Sequence, residues 1–217
     1  QEILGWHRHD FDGEVKNASA LPEGNEDSLY IIVEREIDGV TNSYVERMYT
    51  RQIDDVIDAV FLDCALSYDG TQYGTGLNPP DTTSISINGG TEWDHTDTLT
   101  LTVVDAPFVA ADYTGNEIHV TGTDGTIIRF TDLAFVNSAN MTGRPHTLVP
   151  TSMREVEIDD WRRAVNHLDG LWHLEGKEVS VFGDGFVVAN PNNESYETAT
   201  ITNGQLTLDA NYSVIHV

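Results

Sequence analysis

The side chains best suited to chemistry in this chain are its histidines, its acidic clusters, its tryptophans and its one thiol. His7 and His9 alternate along one strand face, and His167 and His173 flank a tight loop. Zinc asks for three or four convergent ligands. The sequence has no His-Glu-x-x-His run and one Cys, so these imidazoles read as partners of turn backbone or of a neighbouring subunit, and no metal is expected. Asp54, Asp55 and Asp58 could supply the two carboxylates that a glycosidase sets across a bond. With 36 Asp and Glu in the chain, such clusters arise by chance, and they read as surface, as do Asp63 and Asp69. No EF-hand loop is present, which leaves calcium open. There is no Gly-x-Ser-x-Gly and no Walker Gly-Lys-Ser/Thr, so neither a catalytic residue nor a cofactor is expected. Cys64, within Phe61-Leu62-Asp63-Cys64-Ala65-Leu66, reads as an inert thiol in a buried strand, and a lone Cys excludes an internal disulfide framework. Trp6, Trp93, Trp161 and Trp172 could stack on sugars, though such residues are more often core or interface anchors. Trp93, beside Asp94-His95, is the best seed for a glycan groove; Trp172, between Leu171 and Leu174, reads as packing. Four Asn-x-Ser/Thr matches, at Asn17, Asn140, Asn193 and Asn211, are discounted.

These residues sit in a chain of 217 with 36 acidic and 11 basic residues, a formal charge of -25. Its only lysines are Lys16 and Lys177. Gripping nucleic acid needs clustered Lys or Arg against phosphates, and the nearest cluster, Arg162-Arg163, follows Glu155, Glu157, Asp159 and Asp160. Holding DNA is therefore not its main task. A lumen of like charge would instead let DNA slide. The aromatic content, eight Tyr, seven Phe and four Trp, argues against a disordered acidic tail. No run approaches the roughly 18 apolar residues of a membrane-spanning helix, and no secretory signal is legible at the start.

The elements that must position these groups are mostly strands. Leu29 to Glu36 is β-branched and aromatic, Asp38-Gly39 is a hairpin turn signal, and Ser43 to Tyr49 is the expected return strand. Val15 begins a short piece, and Leu21 to Asn25 reads as a loop. Ile53 to Phe61 has helical spacing before alternation from Val60 to Tyr68. Thr83 to Ile87 is β-like. From Thr96 to about Leu148 the chain becomes dense in Thr and Gly turns, with alternation in Leu99 to Val104, Glu117 to Val120 and Thr126 to Phe130. This stretch predicts a small inserted β barrel at residues 96–150, within a β platform at 1–95 and 151–217. Arg154 to Ile158 and Trp161 to Val165 read as extended or partly helical. Two further hairpins are expected, at Asp184-Gly185 and at Asn203-Gly204.

Four segments carry a resemblance: Trp6-His7-Arg8-His9 with Gly13; Leu29 to Met48; Phe61 to Tyr68; and His173 to Gly185 (HLEGKEVSVFGDG). Their order and wording resemble the tail tubular, or nozzle, protein family of short-tailed bacteriophages. The Thr-rich unit between them is similar to a β insertion likened to a half-domain of ubiquitin-activating enzymes. No ubiquitin chemistry is carried over, since Cys64 lies outside the insertion.

The resemblance implies a mainly β virion protein of antiparallel hairpins, with a propeller-like or sandwich-like platform. It implies a ring of copies, six in number, that contacts other tail proteins and lets DNA pass without sequence-specific binding. The chain is short for the family and is expected to be a fragment. The roles implied for its residues are structural: Trp6, His7, Arg8 and His9 at a strand end; Gly39 at the hairpin; Leu174, Glu175 and Gly176 at a tight connection; Asp184 and Gly185 at a turn. The alternatives are a glycan- or receptor-binding module on the tail exterior, and an enzyme acting on polysaccharide.

Overall fold

The computed structural model describes residues 11–49, 53, 56–60, 64–71, 84–103, 108, 113, 115–188 and 198–217. Trp6, His7, Arg8 and His9 lie outside this set. The protein is mainly β. In chain order the first strands are β1 (Glu14–Glu23), β2 (Glu26–Ile37), β3 (Val40–Arg47), β4 (Ser67–Asp69), β5 (Ile85–Asn88), β6 (Leu99–Val103), β7 (Glu117–Thr121), β8 (Ile127–Asn137) and β9 (Asn140–Pro145). There follow β10 (Glu157–Ile158), β11 (Trp161–Leu168), β12 (Glu178–Ser180), β13 (Phe182–Gly183), β14 (Phe186–Val187), β15 (Thr198–Thr200), β16 (Leu206–Tyr212) and β17 (Val214–His216). The helical pieces described are single 3-10 turns at Val56–Asp58, Thr151–Met153 and Trp172–Leu174. Among the described residues no helix is long and apolar enough to cross a membrane.

The chain forms two compact units, residues 1–67, 169–206 and 216–217, and residues 68–168 and 207–215. The first unit opens with an antiparallel sheet in the order β1-β2-β3. Asp38 and Gly39 join β2 to β3 with φ of 50° and 74°, the paired positive values of a tight primed turn, whose twist matches the strands it joins. The expected hairpin is therefore present, with β2 starting at Glu26, ahead of Leu29. The stretch read as a short piece and a loop, Val15 to Asn25, is instead one ten-residue strand plus a turn. β1 is exposed on both faces, so nothing in its sequence has to alternate.

The second unit holds the principal core. Its sheet runs β10-β5-β6-β9-β8-β7-β11-β16. Ile85 and Ile87, Leu99 and Leu101, Ile118 and Val120, and Ile128 and Phe130 alternate onto one face and are fully buried, as a period of two requires for a half-covered sheet. Trp161 closes the cluster, edge-on to Phe108 at 6.1 Å, with Tyr113 edge-on to the same ring at 5.2 Å. The small barrel expected at residues 96–150 is corrected here. Among the described residues no sheet closes on itself. The Thr-rich strands β6 to β9 are continued at both edges, by β5 on one side and β11 on the other, so their edges never meet. The segments around Arg154 and Trp161 left open as extended or helical are the strands β10 and β11, separated from the Thr151–Met153 turn. Open antiparallel sheets of this kind place the chain in a sandwich-like β class.

The hairpins expected late in the chain are partly redrawn. Asp184 and Gly185, with φ of 47° and 83°, turn β13 into β14 as read. β12, however, pairs with β15. Asn203 and Gly204 do form a turn, with φ of 57° and 67° and a bridge between Thr202 and Gln205. The strands leaving it, β15 and β16, join different sheets.

Candidate interaction surface

The β1–β3 sheet presents two unlike faces. Ile31, Val33, Arg35 and Ile37 point to the buried side of β2, and Ile32 between them is exposed. Cross-strand register puts Asn17, Ile32 and Val45 in one row, Ser19, Tyr30 and Arg47 in the next, and Leu21 opposite Ser28. Leu21, Ile32 and Val45 are thus exposed apolar groups on one face, Val45 with 74% of its surface open. Charged clusters flank the Ile32 and Val45 row on either side, and the one that includes Tyr30 and Arg47 separates it from Leu21. At one end, the Glu23 carboxylate accepts from the Tyr30 hydroxyl, from Ser28 Oγ at 2.9 Å and pairs with Arg47 at 2.7 Å. The Tyr30 hydrogen bond, then that of Ser28, holds the Glu23 carboxyl below its usual range, and the same contact raises the Tyr30 phenol. At the other end, Lys16 Nζ lies 2.8 Å from Glu14 and 2.9 Å from Glu34, and hydrogen bonds to those carboxylates raise its pKa. Lys16 is also the extra residue of a bulge between Val15 and Asn17. A bulge with a lysine on an outer strand is a common guard against unplanned edge pairing.

The turn residues singled out in the sequence are joined by a contact that spacing does not reveal. Glu175, just after the Trp172–Leu174 turn, accepts from the backbone N–H of Asn203 at 2.9 Å and of Gly204 at 2.7 Å. Leu171 N–H donates to Gly204 O, and Gly176 N–H to Ile201 O. Leu171, Glu175 and Gly176 therefore clamp the Asn203-Gly204 turn and Ile201 before it. Gly204 is required on two grounds, its positive φ and a Trp172 ring that would stand 2.7 Å from any Cβ. Trp172 packs there with one face yet is 64% exposed, so the expectation of simple packing holds for only part of the ring. At the other turn, Gly185 lies against Val56 and Ile57, and Phe186 beside it is exposed. His216 is buried, stacked on Phe182 at 6.2 Å and bonded through Nδ1 to Ser67 Oγ and through Nε2 to Ile57 O.

Other candidates fare differently. Trp93 is buried, not presented to solvent. It has φ of 61°, carries Arg154 over its ring at 5.0 Å, and accepts from Val149 N–H. The Asp97 carboxylate takes the backbone N–H groups of Thr91, Glu92 and Trp93 at 2.7–2.8 Å. This packed loop offers no flat platform for a sugar. Cys64 is only half-buried and has φ of 58° in a turn whose carbonyl accepts from His173, so it is not the fully buried strand thiol the sequence suggested. Asp54, Asp55 and Asp63 lie outside the described residues. Among the described residues no three His, Cys, Asp or Glu converge as a metal site.

The Asp97 contacts carry a pH prediction. Hydrogen bonds, that from Trp93 N–H first, depress its folded pKa below the ordinary 3.8. A depressed carboxyl stabilises the fold fully above its unfolded value and ceases to do so as pH falls through the folded one. Urea melts from pH 6 to pH 3 should show stability dropping below about pH 4, with Asp97→Asn losing less over that last unit than the parent. Equal acid slopes for the two proteins would refute the assignment.

A polar stripe on the second unit went unnoticed in the sequence. Register aligns Arg162 of β11 with His119 of β7 and Arg129 of β8, and Arg129 N–H donates to His146 Nδ1 at 3.0 Å. His119 Nε2 lies 3.1 Å from Glu117, whose other oxygen accepts from Asn211 at 3.2 Å. Burial raises the Glu117 carboxyl, but the His119 and Asn211 hydrogen bonds and the charges of His119 and Arg129 outweigh it, and the net shift is downward. Burial and the Arg129 charge hold His146 below its usual range. The only sequence signal was that Glu117 and His119 fall at the polar positions of an alternating strand.

In comparisons with known proteins, no family model and no curated protein matches the chain.

Proposed function

We propose that the protein is a passive structural component of a bacteriophage tail, one of several copies that form a ring or tube through which DNA is ejected. The observation that carries this reading is the β1–β3 face, where Ile32 and Val45 stand exposed in one row between two self-neutralised charge clusters, with Leu21 exposed beyond the Tyr30–Arg47 row. An apolar centre with a polar rim is how protein interfaces are built. The resemblance of the Leu29 to Met48 and His173 to Gly185 segments to tail tubular proteins supplies the setting, and the ring of six follows from that resemblance. The charge of -25 suits a channel that must not hold DNA. Neither catalysis nor a cofactor belongs to this role. The test is mass photometry of the full-length protein against its Val45→Asp variant. Val45 is open to solvent, so the variant should fold normally and lose assembly by on the order of tenfold. Unaltered assembly would exclude this face as the contact.

A second reading, a glycan- or receptor-binding module on the tail exterior, is favoured by Trp172. Its largely open indole could stack on a sugar. Binding to a polysaccharide array that Trp172→Ala abolishes would favour it over the ring.

A further inference from the structure

We propose that the Arg129–His146 end of the polar stripe on the second unit is a contact site for carboxylates of a second copy of this chain. The inference rests on the ring reading and names a surface that such a ring would use.

Arg129 and His146 are both exposed, and adjacent through the backbone pair Arg129 N–H to His146 Nδ1 and His146 N–H to Arg129 O. Ile127 lies two residues from Arg129 on the same strand face and is 52% exposed. Behind them sit His119 and Arg162, aligned across β7 and β11. The Arg129 guanidinium makes no ion pair or hydrogen bond among the described residues. In a chain with 36 acidic and 11 basic residues, an open guanidinium beside two imidazoles is a scarce feature. Glu117 lies close enough for its charge and that of Arg129 to act on each other, but its carboxylate is half-buried and hydrogen-bonded to His119 and Asn211, not to Arg129.

A guanidinium presents a planar fork that matches a carboxylate with two parallel hydrogen bonds. A second copy brings 36 carboxylates and a net charge of -25 to the encounter, so its surface is complementary to this stripe. That combination steers association and fixes register. Nucleic acid is the weaker candidate, because affinity for phosphates scales with the number of cations engaged, and the stripe offers one open Arg, the other, Arg162, lying against Asp69 and Asp160.

The test uses the full chain. Self-association is measured by sedimentation velocity at about 20 mM and about 500 mM salt, a range over which the Debye length falls several-fold, for the parent, Arg129→Glu and Arg129→Lys. Thermal melts check that each variant is folded. The expected result is association that weakens with salt, that Arg129→Glu weakens on the order of tenfold or more, and that Arg129→Lys largely retains. Association that is insensitive to both salt and Arg129→Glu overturns the inference and leaves the ring reading standing. No association of any folded protein overturns both. Loss of binding to a duplex DNA probe in Arg129→Glu, with self-association unchanged, also overturns it and assigns the stripe to phosphate.

Discussion

Arg35→Ala should destabilise the protein by about 3–5 kcal/mol, the cost of breaking a buried ion pair from one side. Arg35 is 3% exposed and pairs in parallel with Glu46, Nε to Oε1 and Nη2 to Oε2, both at 3.0 Å. Its remaining nitrogen donates to the Asp12 carbonyl. Gly13 presses on the same spot, where a Cβ would stand 2.6 Å from Glu34 O and 3.0 Å from Arg35 Cγ. Removing the guanidinium leaves the Glu46 carboxylate short of water and without its cation. Glu46 keeps about a fifth of its side-chain exposure, which places the expected loss nearer the lower figure. The double variant Arg35→Met with Glu46→Leu removes both charges and should recover most of the loss, since a well-packed apolar pair can replace a buried salt bridge. Urea unfolding of the parent, Arg35→Met, Glu46→Leu and the double variant gives the coupling energy. A single-variant loss below about 1 kcal/mol, the range of exposed ion pairs, would contradict the account.

Gly70→Ala should cost about 3 kcal/mol or more, because overpacking against a fixed backbone has no cheap relief. Within the second unit, Gly70 N–H donates to Ser213 O at 2.7 Å, and Gly70 O accepts from Arg163 N–H at 3.0 Å. A Cβ at this position would stand 2.0 Å from the Arg163 carbonyl and 2.8 Å from that of Ser213. Both obstacles are main chain, so no rotamer change clears them. The Tyr68 hydroxyl donates to the same Arg163 carbonyl at 3.0 Å and accepts from Arg163 Nε at 3.1 Å, and the guanidinium lies over the Tyr68 ring at 5.8 Å. The substitution should therefore loosen the Arg163 region as well as the strand ends. Thermal and urea melts give the size of the effect. Wild-type stability in Gly70→Ala would mean that these three segments do not approach as described.

Where one face of a strand is buried, the sequence was legible. Leu99 to Val103, Glu117 to Thr121 and Ile127 to Phe130 alternate because one side of each meets the core, and they are strands in the fold. Asp38-Gly39 and Asp184-Gly185 were legible because only a few residues tolerate two successive positive φ values. β1 was hidden because both its faces meet water, and Pro22 within it looked like a loop residue. The partners of β12 and β16 were hidden because pairing between distant segments leaves no local trace. The same holds for the surfaces. The exposed row of Ile32 and Val45 and the stripe of Arg162, His119, Arg129 and His146 arise from register, and the clamp of Glu175 on Asn203-Gly204 from a contact between residues distant in sequence. Trp93 and Trp172 exchanged their expected roles for a related reason: apolar neighbours in sequence do not say which face of a ring a loop will cover.

The central claim is that these strands build a scaffold around passing DNA. A density map of the full-length assembly, with its surface potential evaluated along the channel, tests it most directly. The account predicts a ring of copies joined through the β1–β3 face, with an acidic channel wall. A basic wall, or a solitary chain holding a ligand in a cleft, would contradict it.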